Sequence, residues 1–242
     1  MDTDYDSIVI SPHIDDAFLS LGGYLTNFSV NRNQLRRIAL VVNVFSISNW
    51  APLRRPVIFG TKQISQLRRK EELLNSQLAR IPVEFLDFLD APLRGYASPF
   101  ERPAWSKEEE LIEGLRTRLA SVIRRTKICF FPLGIGMHVD HLFVAKVGVD
   151  LVRSGARNIA FYEDLPYAAA AATKYGLIDL MVARNMFAPI LFPINPILKM
   201  KACGSYKSQL TYRTSVKIIL YSKRIRLIGG FYERVWVPVR FE

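Results

Sequence analysis

All three histidines of this 242-residue chain lie in two short clusters that also contain aspartates. The first cluster, residues 11–16, reads Ser-Pro-His-Ile-Asp-Asp and contains His13, Asp15 and Asp16. The second cluster, residues 138–141, reads His-Val-Asp-His. A chain that used histidine only for packing would have no reason to collect its histidines beside carboxylates. Imidazoles and carboxylates together are typical of metal ligands and of general acid–base groups.

The two clusters can supply a complete ligand set for a catalytic metal ion. Two imidazoles, His13 and His141, and one carboxylate, Asp16, leave coordination positions open, which is the catalytic rather than the structural zinc pattern. Zn²⁺ is the predicted ion, with another divalent metal such as Fe²⁺ as the alternative. Asp15 is then left beside the metal, where a spare carboxylate usually acts as general base towards an activated water.

The remaining two residues of the second cluster are predicted to assist. His138 lies one helical turn before His141 and faces the same side, so it is predicted to stabilise an oxyanion or to donate a proton. Asp140 is predicted to hold an imidazole in the right tautomer. Each fragment alone has an ordinary structural explanation, such as a satisfied core histidine or a helix cap. Their joint occurrence favours a metal site.

The elements that carry the clusters alternate between apolar runs and amphipathic stretches. Strands are predicted at residues 7–10, 38–45, 82–89, 127–133 and 158–162, and helices at 16–30, 61–80, 107–125, 138–154, 168–183 and 196–210. This alternation predicts a Rossmann-like, doubly wound α/β fold with a mostly parallel sheet and helices on both faces. Residues 211–241 are predicted to form C-terminal edge strands, and residues 1–242 one domain. Both clusters follow a strand, so they should meet in the crevice at the strands' carboxyl ends.

The charge balance suggests an anionic partner. Lys and Arg number 33 against 22 Asp and Glu, a net charge of +11. A solvated basic surface is the alternative, and the scattered cations argue against nucleic acid. No run of apolar residues is long enough for a membrane span, which leaves only a peripheral contact. The two cysteines and the lack of a signal-peptide pattern predict a cytoplasmic protein.

The clusters resemble those of the LmbE-like, or PIG-L, zinc N-deacetylases. The resemblance rests on the His-x-Asp-Asp motif at residues 13–16, the glycine pair at 22–23 and the His-x-Asp-His motif at 138–141, and it covers nearly the whole chain. The Arg-Arg-Lys-Glu-Glu run at 68–72 is similar to the family helix whose arginine meets the substrate, which suggests Arg68, with Arg69 as the alternative. Residues 161–168, 206–209 and 233–236 are similar to later family motifs.

The resemblance implies removal of an acetyl group from an N-acetylglucosamine-type sugar or conjugate. Carried over by position, His13, Asp16 and His141 are the zinc ligands, Asp15 the base and His138 the oxyanion partner. Two positions depart from the family pattern, because Ile14 replaces a usual Pro and Ala17 a usual Glu. Neither change removes one of these five roles.

Two other classes of function compete with this interpretation. Two histidines and one carboxylate also describe non-haem iron oxygenases, although these enzymes use antiparallel barrels. A basic α/β module could instead bind a nucleotide, nucleic acid or lipid without turnover. A glycine-rich phosphate loop is missing, because Gly134 and Gly136 are too few.

Overall fold

The computed structural model describes residues 4–30, 39–53, 60–170, 186–226 and 229–239. In these residues the strands are β1 (Tyr5–Ser11), β2 (Ala39–Asn43), β3 (Val83–Phe85), β4 (Thr126–Pro132), β5 (Ile159–Tyr162), β6 (Phe187–Pro193) and β7 (Tyr232–Pro238). The α-helices are α1 (Asp16–Val30), α2 (Thr61–Ala79), α3 (Glu109–Ile123), α4 (Val139–Arg153), α5 (Pro196–Ser205) and α6 (Tyr212–Arg224).

The seven strands form one sheet in the order β3-β2-β1-β4-β5-β7-β6. Strands β1 to β5 are parallel, and β1 lies between β2 and β4. Its apolar residues Ile8, Val9 and Ile10 are fully buried because both faces of the sheet are covered. The predicted Rossmann-like, mostly parallel fold is therefore confirmed.

The C-terminal edge is antiparallel and differs in detail from the prediction. Strand β7 pairs with β5, and β6 pairs with β7 along all seven of its residues. Residues 212–224, which were predicted as strand, form helix α6 instead. Its buried residues Ser215, Ile218 and Ser222 recur at helical spacing, and the Thr211 side chain caps its first turn. Residues 171–183 of the helix predicted at 168–183 lie outside the described residues.

A buried ion pair supports a kink in α1, the helix that begins with Asp16. The helix loses its regular φ and ψ angles at Leu21. The Glu233 carboxylate accepts hydrogen bonds from the N–H groups of Gly23 and the next residue, both at 2.8 Å, and Lys199 pairs with Glu233. A Cβ atom at Gly23 would lie 2.5 Å from Ile194, so only glycine permits this approach. The C-terminal region thereby fixes the direction of α1.

Candidate active site

The two histidine clusters meet at the carboxyl ends of the adjacent parallel strands β1 and β4. His13 lies in the turn between β1 and α1. His138 caps α4, where its Nδ1 accepts a hydrogen bond from the Asp140 N–H at 3.2 Å. His141 lies in the first turn of α4 and is fully buried. Parallel strands therefore bring the two clusters together, as the strand–turn–helix pattern predicted.

Three potential ligand atoms form a nearly equilateral triangle. His13 Nδ1 lies 3.3 Å from Asp16 Oδ2, His141 Nε2 lies 3.1 Å from the same oxygen, and the two nitrogens are 3.3 Å apart. Ligands about 2.0–2.1 Å from a tetrahedral Zn²⁺ lie about 3.3–3.4 Å from one another. The triangle therefore has the size of one face of a tetrahedral site. His138 belongs to a wider group in which the three imidazoles offer nitrogens within 4.8 Å of one another.

The outer nitrogen of His13 faces Asp140. His13 Nε2 and Asp140 Oδ2 are 2.8 Å apart. The Asp140 carboxylate also accepts hydrogen bonds from Arg94 Nη2 at 2.7 Å and from the Ala91 N–H at 3.0 Å. Asp140 thus orients the imidazole of His13, whereas its contact with His138 is made by its main-chain N–H. Arg94 was not among the predicted site residues, because nothing in its loop marks it.

The outer nitrogen of His141 has a similar partner in Asp164, at 2.6 Å. The second oxygen of Asp164 accepts hydrogen bonds from the N–H groups of Leu133 at 3.0 Å and Ile135 at 2.9 Å. No role was predicted for Asp164 from the sequence. A signal existed, because Asp164 follows the fifth strand at the same edge of the sheet that carries both clusters.

These partners prepare both imidazoles to bind a cation. Each outer N–H can donate to a carboxylate, which leaves a lone pair on His13 Nδ1 and on His141 Nε2 facing the triangle. Burial lowers the pKa of His13, but hydrogen bonds to Asp140 and Asp16 outweigh it and raise the pKa to about 9. The carboxylates of this region are the buried Asp16, Asp90, Asp140 and Asp164 and the half-buried Asp15. This donor set fits a divalent metal ion.

Asp15 lies beside the triangle and lines the cavity next to Arg68. Arg68 Nη2 is 3.5 Å from Asp15 Oδ1 and donates to the Ile14 carbonyl at 3.3 Å. Burial raises the pKa of Asp15 to about 7, although Arg68 opposes that shift. Arg69 instead pairs with Asp87, away from the cavity. Of the two arginines that the sequence left open, Arg68 is the one that faces the site.

His138 also lines the cavity, next to His13. Its ring centroid lies 4.6 Å from that of His13. Burial and the two neighbouring imidazoles lower its pKa well below the ordinary value. With Nδ1 accepting the helix-capping hydrogen bond, the neutral imidazole carries its proton on Nε2. Nε2 of His138 therefore remains available as a hydrogen-bond donor.

The acidic pair of α2 anchors another wall of the cavity. Glu71 accepts hydrogen bonds from the main-chain N–H and the hydroxyl of Ser208, at 2.8 and 2.7 Å. Glu72 accepts one from the Tyr206 hydroxyl. These contacts hold the turn after α5, whose residue Gln209 lines the cavity. The helix that carries Arg68 therefore also positions the opposite wall.

The triangle opens into a cavity of about 550 Å³. Its described aromatic lining residues are Trp50, Tyr96, Phe100 and Tyr167, and its described charged lining residues, apart from the histidines, are Asp15, Asp16, Asp90 and Arg68. Two buried polar atoms here, Asp90 Oδ1 and Arg68 Nε, lack a hydrogen-bond partner among the described residues. Both atoms are closed to solvent, so neither faces the open part of the cavity. None of the described helices is long and apolar enough to cross a membrane.

Comparisons with known proteins identify the family of this chain. The family model PIG-L, described as GlcNAc-PI de-N-acetylase, matches residues 8–152, which include both histidine clusters. The 2'-N-acetylparomamine deacetylase of Streptomyces fradiae is 32% identical over 204 residues, covering 83% of this chain and 71% of that protein.

Two solved structures share the fold over almost the full length of both chains. The A40926 pseudoaglycone deacetylase Dbv21 has a TM-score of 0.75 at 22% identity and covers 99% of each chain. The zinc-inhibited form of the teicoplanin deacetylase Orf2 has a TM-score of 0.75 at 19% identity, covering 98% of this chain and 99% of that one. Because the family model spans more than half of the sequence and both motifs, this chain belongs to the PIG-L, or LmbE-like, family of deacetylases.

Proposed function

We propose that this protein is a metal-dependent hydrolase that removes the N-acetyl group of an amino-sugar conjugate. The observation that carries the proposal is the triangle of His13, Asp16 and His141 at the base of a cavity that Asp15 also lines. The relatives named above support the reaction class, since all three are deacetylases. The iron-oxygenase alternative is disfavoured because the sheet is mostly parallel.

His13, Asp16 and His141 would hold the metal, with Zn²⁺ as the proposed ion and Fe²⁺ as the alternative. A divalent ion bound there supplies Lewis acidity towards the acetyl carbonyl and lowers the pKa of a bound water. Asp140 and Asp164 would keep the two imidazoles oriented with their lone pairs inwards. One structural relative is described as zinc-inhibited, so the ion has to be identified by titration.

Asp15 would be the general base. Its carboxylate takes a proton from the attacking water as the new C–O bond forms at the acetyl carbon. It then delivers that proton to the nitrogen as the C–N bond breaks, so the products are acetate and a free amine. His138 would donate its Nε2–H to the oxyanion of the tetrahedral intermediate.

The cavity walls would recognise the sugar. Asp90 and Arg68 line the cavity, so their carboxylate and guanidinium groups could meet the hydroxyl groups of a sugar. The aromatic side chains suit the apolar faces of sugar rings. Three aspartates and one arginine line the described wall, which favours a neutral or cationic conjugate over the anionic substrate that the composition suggested. N-acetylated aminoglycoside and glycopeptide precursors are the proposed substrate class.

The test is a mass-spectrometric assay for loss of one acetyl group. The metal-free protein is reloaded with Zn²⁺ or Fe²⁺ and offered 2'-N-acetylparomamine, N-acetylglucosaminyl glycopeptides and sugar nucleotides. We expect deacetylation of a neutral or cationic conjugate that depends on added metal. Arg68→Ala should raise KM for that substrate. If the loaded protein binds these conjugates but deacetylates none of them, the non-catalytic binding module becomes the better interpretation.

Single substitutions separate the roles. Asp16→Ala should lose both metal and turnover. Asp15→Asn should keep the metal and lower kcat by about 10²–10⁴-fold, and His138→Ala by about 10²–10³-fold. Asp87→Asn, an aspartate outside the cavity, is the control and should leave both unchanged. Near-normal turnover in Asp15→Asn, or loss of its metal, would refute this division of labour.

A further inference from the structure

The positive charge of this chain is concentrated in its C-terminal part. Residues 180–232 contain nine Lys and Arg residues and no Asp or Glu, so this stretch carries nine of the eleven net positive charges. The cations themselves are scattered along the whole sequence. What singles out this stretch is the lack of acidic residues within it, and among its described cations only Lys199 forms an ion pair, with Glu233.

The exposed side of α6 displays these charges. Arg213, Lys217, Leu220 and Arg224 are all exposed and follow one another at intervals of four, three and four residues, which places them on one face. Tyr212, at the start of the helix, is 79% exposed and Leu220 is 50% exposed. We call this surface, formed by these five residues, the basic face. The opposite side of the helix is buried against the protein.

The cations of the basic face differ from the ion-paired cations of the protein, a property that they share with other exposed cations such as Arg118 and Arg124. Among the described residues, Arg213, Lys217 and Arg224 form no ion pairs. By contrast, Arg125 pairs with Glu84, and Lys127 pairs with Asp6. Glu163, which accepts a hydrogen bond from Tyr221 of α6, is buried and pairs with Arg234, so it does not neutralise a cation of the basic face.

The basic face adjoins the mouth of the cavity. Thr214, in the first turn of α6, lines the cavity. On the same side, exposed Trp50 accepts a hydrogen bond from Gln209 at its carbonyl, at 3.3 Å. The N–H of exposed Leu53 donates to the Ser208 carbonyl at 3.1 Å. Two exposed apolar residues, one of which (Trp50) lines the cavity, are therefore bound to the segment that leads into α6.

We propose that the basic face docks this protein on an anionic phospholipid bilayer, with the mouth of the cavity beside the membrane surface. Cations interspersed with exposed Leu220 and Tyr212 match a surface that offers phosphates above an apolar layer. A nucleic acid would use the cations but would have no use for Leu220. A second copy of this chain would bring cations against cations, because a two-fold interface places the same patch on both sides.

The proposal goes beyond deacetylation and does not depend on it. Its test therefore needs no substrate. The full chain is sedimented with vesicles of phosphatidylcholine alone or mixed with phosphatidylglycerol. We expect binding only to the mixed vesicles, and weaker binding as salt is raised, because salt screens the attraction.

Substitutions locate the contact. The triple variant Arg213→Gln, Lys217→Gln, Arg224→Gln should bind the mixed vesicles about 100-fold more weakly, since each cation near such a surface contributes roughly fivefold. A matched variant removes three exposed cations on the α3 side, Lys107→Gln, Arg118→Gln and Arg124→Gln, and should bind nearly as well as the unaltered chain. Leu220→Ser should weaken binding by a smaller factor and leave its salt dependence unchanged.

Three outcomes would overturn the proposal. Equal losses in the two triple variants would show that net charge, rather than the basic face, drives binding. Equal binding to phosphatidylcholine alone would remove the role of lipid charge. Binding to a DNA duplex but not to the mixed vesicles would identify the surface as a nucleic-acid site. Circular dichroism of every variant checks that α6 remains folded.

Discussion

The two histidines of the triangle are supported in different ways. His141 is held by Asp164, whose second oxygen accepts two main-chain hydrogen bonds, from Leu133 and Ile135. His13 is held by Asp140, which depends on the Arg94 side chain and a single main-chain N–H. One carboxylate is therefore fixed by the backbone of the turn after β4, and the other mainly by a side chain.

This difference decides which substitutions can disturb the orientation of each histidine. The Asp164 support is built from main-chain groups, so substitution of its neighbours leaves it in place. The Asp140 support continues outwards, because Arg94 also contacts Glu108 at 2.8 Å and lies 5.6 Å from the Tyr96 ring. Tyr96 lines the cavity. Asp140 and Arg94 thus connect the candidate metal ligand His13 to the cavity wall that would meet the substrate.

The electrostatics of the two carboxyls also differ. Burial raises the pKa of both groups. At Asp140 this effect is outweighed by His13 and Arg94, which hold its pKa well below the usual range. At Asp164 burial prevails over His141, and the pKa remains raised. A second cation next to Asp140 accounts for the contrast.

The largest expected effect comes from Asp164→Ala. This change leaves two buried groups, the Ile135 N–H and the outer nitrogen of His141, without their described partner, whereas the Leu133 N–H keeps the Tyr162 carbonyl at 3.0 Å. Each orphaned group costs about 1–3 kcal/mol, so the free energy of unfolding of the metal-free protein should fall by several kcal/mol. Metal affinity should fall by up to about 100-fold. Urea unfolding and metal titration measure the two effects, and a loss below about 1 kcal/mol would contradict the main-chain role.

A smaller effect is expected from Arg94→Met. Asp140 keeps His13 and the Ala91 N–H, but Arg94 loses three hydrogen bonds, to Asp140, to Glu108 and to the Leu89 carbonyl. The stability loss should be about 2–4 kcal/mol, because a hydrogen bond to a charged group contributes about 1.5–3 kcal/mol. Metal affinity should fall by about 10-fold, because the imidazole of His13 becomes less well oriented.

Arg69→Met is the matched control for Arg94→Met. Arg69 also pairs with an aspartate, but on the exposed surface, and should cost less than about 1 kcal/mol with unchanged metal affinity. Arg94→Lys should recover part of the affinity, because a lysine keeps the charge but not the three-way contact. If Arg94→Met binds metal as tightly as the unaltered chain, then Asp140 holds His13 without help.

The sequence was sufficient to predict the fold and the meeting of the two clusters. Apolar runs alternating with amphipathic stretches specify parallel strands, and parallel strands carry their following turns to the same edge of the sheet. Residue types alone suggested the triangle of His13, Asp16 and His141. Their site roles remain predictions, but the atoms that those roles require are within 3.1–3.3 Å of one another.

The sequence was not sufficient where tertiary contacts decide. Asp164 and Arg94 act through contacts 23 and 46 residues away, which no local pattern reveals. Adjacent helix residues point about 100° apart, so only packing could separate Arg68 from Arg69. Helix α6 was misread because serines fill two of its buried positions, and β6 was missed because it contains two prolines, which an edge strand tolerates.

The smallest expected effect is that of Glu108→Gln. Glu108 is the last residue in the series of contacts that runs from His13 through Asp140 and Arg94. Glutamine keeps an oxygen that can accept from Arg94 Nε, so only the charge is lost. Stability should fall by less than about 1 kcal/mol, the usual value of a partly exposed ion pair. Metal affinity should change by less than about threefold, well below the range for a residue that contacts a ligand directly.

The double variant Glu108→Gln, Arg94→Met tests whether Glu108 acts on His13 only through Arg94. If Glu108 acts only by holding Arg94, it should have no effect once Arg94 is replaced, and the double variant should match Arg94→Met in stability and in metal affinity. Additive losses would mean that Glu108 stabilises its loop by a separate route. In that case the connection between the cavity wall and His13 ends at Arg94, and the two supports differ by one side chain rather than by a chain of contacts.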